Sequence, residues 1–187
     1  MTKSSTFTIA VSGSRTITDA AHVTDILDDE YTFYAIELGL DVVMHLGDAR
    51  GVDAIALEWA RNRGVQRIVF YADRKGYDFW CQAAGLREWD PADERAVLAS
   101  DWDSADQLSA GPIRNHAMIA GVDDERGVSG RADLLIAIHD GASRGTANAI
   151  ATARNQHVFV HRWGGPGLLV MEEIAPHQAQ TGAIMTP

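Results

Sequence analysis

Short apolar runs alternate along this chain with longer amphipathic stretches, and three of the runs end at a glycine. The first is Ile9-Ala10-Val11-Ser12-Gly13, the second Val42-Val43-Met44-His45-Leu46-Gly47, and the third Leu134-Leu135-Ile136-Ala137-Ile138-His139-Asp140-Gly141. Near-continuous apolar character over so short a span suits strands buried on both faces, as parallel strands are. The pattern predicts strands at 6–12, 41–46, 65–71, 133–139 and 157–162. Residues 18–39 read as a helix with Asp19 near its start, a bend at 31–34, and Val23, Ile26, Leu27, Ala35, Ile36 and Leu38 toward the core. From Gly51 to Arg63 a second amphipathic helix carries Val52, Ile55, Ala56, Trp59 and Ala60 on one face and stops at Gly64. Two more helices are expected, one opening at Gly111-Pro112 with Ile113, Met118 and Ile119 as apolar positions, the other running from Thr146 to Asn155.

Residues 72–110 break this rhythm with Trp80, Trp89, Trp102 and many acids. Pro91–Ala99 reads as a short helix, and the whole stretch as a lid, binding loop or interface element. The tail after Gly164-Gly165-Pro166-Gly167 reads as a short helix or an interface segment. Strands alternating with helices imply a doubly wound, mostly parallel sheet of at least five strands with helices on both faces. The expectation is a single domain over 1–187, with an insertion at about 72–110 and a C-terminal extension at about 163–187. Sheets of this kind bind ligands at the carboxyl ends of their strands, where all three glycine junctions lie.

Composition narrows the function classes. Hydrophobic content of 46% and charged content of 22% are those of a soluble globular protein. No apolar run approaches the ~20 residues of a membrane span, and Met1–Thr8 lacks a signal peptide's basic and apolar regions. Cys81 is the single cysteine, which excludes an internal disulfide, fits a cytoplasmic setting, and suits a small buried hydrophobe better than a nucleophile. A net charge of −10 argues against gripping long nucleic acid, which requires a basic surface. Arginines nevertheless recur at the motifs, as Arg15, Arg50, Arg114 and Arg144, which points to a small anionic ligand. The seven histidines form no metal-binding set: His157 and His161 share a strand face without a Cys or acid nearby, and His45 and His139 are expected to be buried, or one of them to lie near the ligand. No metal and no cofactor are expected.

A strand that ends in glycine before a helix lets a ligand approach the backbone, and the helix start offers unpaired N–H donors to an anion. Gly13-Ser14-Arg15 adds a hydroxyl and a guanidinium suited to a phosphate, although an ordinary turn with an exposed arginine has the same sequence. Gly47, Asp48, Arg50, Gly51 and Asp53 surround the next helix start, with Asp53 either complementing the helix dipole or facing a ribose hydroxyl or reacting centre. Gly141, Ser143, Gly145 and Thr146 form a third cradle of N–H and O–H donors. Arg114 and Asn115 fall in the first turns of a helix, where they are placed either to hold a phosphate and a base edge or as a solvated helix start. No Ser-His-Asp order or paired-carboxylate spacing stands out; Asp53 and Arg114 are the only weak catalytic candidates.

Together these motifs resemble the SLOG superfamily, and in particular its YpsA-related branch. The resemblance rests on Val11–Arg15, His45–Ala54, Ala110–Asn115 with its Gly-Pro-x-Arg-Asn element, and Gly141–Thr146, in the right order over residues 7–161. It implies a Rossmann-like fold that binds a nucleotide, a nucleotide-derived signal or, as in the DNA-processing relatives, single-stranded DNA. The superfamily's phosphoribohydrolases, which cleave the N-glycosidic bond of nucleoside monophosphates, carry Pro-Gly-Gly-x-Gly-Thr-x-x-Glu. Here Asp140 stands for the proline, Ala142 for the second glycine and Ala149 at the glutamate position. The resemblance therefore implies binding, by a sensor or sequestering protein, more than hydrolysis. A homo-oligomer is expected.

Overall fold

The computed structural model describes residues 6–72, 94–98, 110–124, 127–167 and 171–174. Nine strands are present among them: β1 (Thr6–Gly13), β2 (Asp41–Gly47), β3 (Gln66–Tyr71), β4 (Glu94–Leu98), β5 (Val122–Asp124), β6 (Gly127–Ser129), β7 (Leu134–Ile138), β8 (Phe159–Trp163) and β9 (Met171–Ile174). The helices are α1 (Ala20–Tyr31), α2 (Val52–Asn62), α3 (Ala110–Ala120) and α4 (Arg144–Asn155), and a π-helical turn, Thr32–Glu37, prolongs α1. Seven strands form one sheet in the order β4-β3-β2-β1-β7-β8-β9, parallel from β4 to β8, with β9 antiparallel at the edge. β5 and β6 pair as a separate antiparallel hairpin.

Strand alternation divides the core into two layers. Ile9, Val11, Leu134, Ile136 and Ile138 point to the side covered by α1 and α2. Their neighbours Ala10, Leu135 and Ala137 point to the side where α3 brings Met118 and Ile119, and α4 brings Ala149 and Ala153. Helices on both faces of a parallel sheet make this the expected doubly wound, Rossmann-like fold. Strand order reverses between β1 and β7, so the ligand-binding crevice of such a sheet is expected at the carboxyl ends of those two strands.

The sequence expectations differ from the structure in four places. Within Pro91–Ala99, expected to form a short helix, the described residues 94–98 form β4, parallel to β3 at the sheet edge, where local helix signals yield to backbone pairing. The tail contributes a strand, β9, rather than a helix in its described residues. Ile36 and Leu38 are exposed (69% and 52%), because the π-helical turn rotates the residues after Tyr34 off the α1 stripe. Ile113 is also exposed, whereas Met118 and Ile119 are buried as expected. Residues 73–93 and 99–109, with Cys81 and the tryptophans Trp80, Trp89 and Trp102, lie outside the described residues.

Candidate functional site

Four chain segments meet at the switch point. The end of β1 brings Ser12, Gly13, Arg15 and Thr16; the β2–α2 junction brings Ala49 and Asp53. The start of α3 supplies Gly111, Pro112, Arg114 and Asn115, and the β7–α4 loop supplies Asp140, Ala142, Ser143, Arg144, Gly145 and Asn148. Between them lies a cleft of about 580 Å³, a size typical of small-molecule sites.

Its floor is a buried ion cluster. Arg114 Nη1 donates to Asp53 Oδ2 at 2.8 Å and lies 3.5 Å from Asp48 Oδ1, with side-chain exposures of 6%, 2% and 14% for Arg114, Asp53 and Asp48. The other oxygen of Asp53 accepts from the Gly13 N–H at 3.3 Å. Asp48 in turn accepts from the Ala72 N–H at 3.1 Å. Burial pushes the Asp48 carboxyl above its ordinary range, against the opposing pull of Arg114 and the Ala72 N–H. One carboxylate thus ties the end of β1 to the starts of α2 and α3. Gly47 makes room for it, since a Cβ there would overlap the Arg114 guanidinium and the Asp53 carboxylate. Gly51 adopts a left-handed φ of +79°, and a Cβ on it would stand 2.6 Å from the Ser14 carbonyl oxygen.

Two polar atoms of this floor are buried without a hydrogen-bond partner: Arg114 Nε and Asn115 Oδ1. The amide orientation of Asn115 follows from its neighbours, because Nδ2 donates to the Gly145 carbonyl at 3.2 Å and to Asn148 Oδ1 at 3.3 Å. Oδ1 is therefore a spare acceptor on the residue that follows the one carrying the spare donor. Each such group costs about 1–3 kcal/mol while unsatisfied.

The third glycine loop is arranged differently from expectation. Asp140 folds back over it: Oδ1 accepts from the Ala142 and Ser143 N–H groups at 2.9 and 2.8 Å, and Oδ2 accepts from the Thr16 hydroxyl. Its own N–H donates to Ser14 Oγ at 3.0 Å. These bonds, Thr16 foremost, hold the Asp140 carboxyl well below the usual carboxylate range. The Gly141 N–H donates to His139 Nδ1, which leaves Nε2 to donate to the Ser143 carbonyl at 3.0 Å. Ser143 caps α4 through Thr146 N–H, and the Thr146 hydroxyl donates to the same Ser143 Oγ. The donors expected of Gly141, Ser143 and Thr146 are thus largely taken by protein groups. What remains is the start of α4, where the N–H groups of Arg144 and Gly145 have no intrahelical partner.

Of the residues singled out from the sequence, the structure brings Gly13, Arg15, Asp53, Arg114, Asn115, Ser143 and Gly145 to the cleft wall. Ser14, Gly47, Asp48, Gly51 and Thr146 support it from behind. Gly141 lies outside the cleft wall, in an adjoining depression with Thr16, Thr18 and Arg162. Thr16 and Asn148 also line the cleft, each just outside the strand-end and helix-start motifs that mark the other residues in the sequence. His45 is fully buried, its Nδ1 2.8 Å from the Met118 carbonyl, as expected of a core histidine. His161, by contrast, does have an acidic partner, Glu30 of α1 at 2.9 Å, from which it is 131 residues distant in sequence. Among the described residues no cluster of potential metal ligands is found, and no helix is long and apolar enough to cross a membrane.

Comparison with known proteins agrees with this picture at the family level. No curated protein and no solved structure matches the chain. A family model described as the YspA, cpYpsA-related SLOG family matches residues 7–77, from β1 to just past β3, and so includes the Gly13 and Gly47–Asp53 junctions. The α3 and β7–α4 motifs lie beyond the matched residues. Over residues 7–77 the chain is similar to the YpsA-related SLOG family.

Proposed function

We propose that the switch-point cleft binds a nucleotide or nucleotide-derived small molecule, and that the protein acts by sensing or sequestering it. Similarity to the SLOG family over residues 7–77 suggests a nucleotide-related ligand in general terms. The observation that carries the reading is that Arg114 Nε and Asn115 Oδ1, on two residues lining the cleft, are buried without a partner, in a cleft whose wall also carries Arg15 and Arg144. A donor and an acceptor on consecutive residues suit a base edge or a ribose hydroxyl, and a ligand that reaches them removes the cost of leaving them unsatisfied. The exposed guanidinium groups of Arg15 and Arg144, together with the first N–H groups of α4, suit the anionic end of the same molecule.

Asp53 and Arg114 serve here as the framework of the floor rather than as a reacting pair. The cleft's carboxylates among the described residues are Asp53 and Asp140, and each of their four oxygens already accepts a hydrogen bond from the protein. Ala149, at the hydrolases' glutamate position, packs in the layer between α4 and the sheet, away from the cleft. Binding therefore has more support than N-glycosidic cleavage, and a net charge of −10 weighs against single-stranded DNA.

The test is a thermal-shift and calorimetric screen of nucleoside mono-, di- and triphosphates and cyclic nucleotides. A bound nucleotide raises Tm by mass action on the folded state. Arg15→Ala and Asn115→Ala should each weaken a responsive nucleotide by about tenfold, the equivalent of one charge-assisted or buried hydrogen bond. Unchanged affinity in both variants would remove the cleft from consideration. Release of free base from nucleoside monophosphates would restore the hydrolase reading.

A further inference from the structure

A second cavity, of about 760 Å³, lies on the α1 side of the sheet near the amino ends of β1, β7 and β8. It shares no lining residue with the switch-point cleft. Register with Leu134 places Phe159, and by alternation His161 and Trp163, on this face of β8. Phe7 of β1 and Phe33 and Tyr34 of the π-helical turn complete an aromatic wall. Tyr34 stacks on Phe7 with centroids 4.5 Å apart and planes 15° from parallel, and Phe33 meets Tyr34 edge-on at 5.1 Å. Phe33 and Phe159 remain 46% and 49% exposed. The π-helical turn is what aims Phe33 and Tyr34 at this space, and interruptions of that kind recur at functional sites.

The wall is rimmed by negative charge. Asp29, Glu30, Asp133 and Glu173 line the cavity, against Arg131 and the histidines His157 and His161. Glu30 is only 6% exposed and is fixed by bonds from His161 Nδ1 at 2.9 Å and Trp163 Nε1 at 2.9 Å. Asp133 accepts from the Thr8 N–H, and the Arg131 guanidinium donates to the Gln156 carbonyl. The Tyr34 phenol is pushed up to about 12 by burial and then by the charges of Glu30 and Glu173, as expected beside a persistently negative surface.

Aromatic faces and carboxylates both attract cations, and an anion or a neutral ring gains from only one of them or from neither. We propose that this cavity is a binding site for an organic cation with a flat or methylated apolar body, its ammonium group held against the Phe33–Tyr34 rings near Glu30 and Glu173. The site is independent of the nucleotide reading of the other cleft.

Calorimetry with benzyltrimethylammonium chloride, benzyl alcohol and sodium benzoate tests it. The cation should bind saturably at one site per chain, benzyl alcohol at least tenfold more weakly, and benzoate not measurably. Phe33→Ala and Glu173→Gln replace exposed side chains, so the fold should tolerate both, and each should weaken the cation by roughly threefold or more, within the range of one cation–π or ion contact. Arg15→Ala, in the other cleft, should leave cation binding unchanged. Equal binding of benzyl alcohol, or unchanged affinity in both cavity variants, overturns the proposal. So does failure of the cation to bind, including the case in which sedimentation shows this face covered by a second copy of the chain.

Discussion

Replacing Asp53 with alanine should destabilise the fold far more than loss of a solvent-facing ligand contact would. In the parent, the carboxylate accepts from Arg114 at 2.8 Å and from the Gly13 N–H at 3.3 Å, and both side chains of the ion pair are almost fully buried. Removing one partner of such a pair leaves an uncompensated buried charge, at a cost of about 3–5 kcal/mol. Asp48, 3.5 Å from the same Arg114 nitrogen, retains part of the attraction and pulls the figure toward the lower end. The orphaned Gly13 N–H pushes it back by about 1 kcal/mol or more. For a chain of 187 residues this corresponds to a fall in Tm of roughly 6–20 °C. Urea unfolding followed by circular dichroism reads the loss as a shift in midpoint at constant m. Asp53→Asn, which keeps an acceptor and the shape, should lose less. The double variant Asp53→Leu/Arg114→Met, which removes both charges, should be more stable than Asp53→Ala alone. If Asp53→Ala lies within about 1 kcal/mol of the parent, the carboxylate is not the structural tie described above, and a role toward ligand regains ground.

Three further outcomes are expected. Ala149→Glu, which writes the hydrolases' glutamate back into the chain, should create no hydrolase and should cost about 3 kcal/mol or more, because position 149 faces the packed layer under α4; denaturant unfolding and a base-release assay read both parts. His161→Gln should be most destabilising below about pH 6.5. The hydrogen bond that His161 donates to Glu30 raises the His161 pKa in the folded protein, so its stabilisation is complete below the unfolded value near 6.5 and fades as pH rises through the raised one; a penalty that grows with pH would contradict this. Asp140→Ala frees the Ala142 and Ser143 N–H groups and the Thr16 hydroxyl and removes a negative charge from the cleft. Inorganic pyrophosphate should then bind about tenfold more tightly by calorimetry, and unchanged affinity would show that the loop does not present those donors.

The architecture was legible because its signals are local. A five-residue apolar run such as Leu134–Ile138, buried at every position, needs no partner to be recognised as a strand between two helix layers. Gly64, with its φ of +64°, ends α2 where the sequence placed the stop. Where the reading failed, the deciding interaction was distant. Residues 94–98 carry helix-compatible side chains, yet pair with β3 in the sheet. Ile36 and Leu38 continue a helical stripe that a wider turn rotates into solvent. No spacing rule links His161 to Glu30 or Trp163 to Glu30, although those contacts fix the wall of the larger cavity.

The candidate cleft shows the same division, with one consequence for its chemistry. Glycines at strand ends marked positions where the chain packs too closely for a side chain, as at Gly13, Gly47 and Gly51, because that requirement is steric and belongs to single positions. They did not show which donors would be left over. At the β7–α4 loop an aspartate stands where the phosphoribohydrolases of the resembled superfamily have proline, and a proline there could not reach the N–H groups that Asp140 Oδ1 now occupies. The chain thus carries its own anion at the third junction, held by Thr16 from the first. On the proposed reading, an incoming phosphate would meet Arg15, Arg144 and the first amides of α4 beside that carboxylate, not in an empty cradle. Such a site favours a ligand that also brings a hydrogen-bond donor to Asp140, as a ribose hydroxyl would, over a bare polyphosphate.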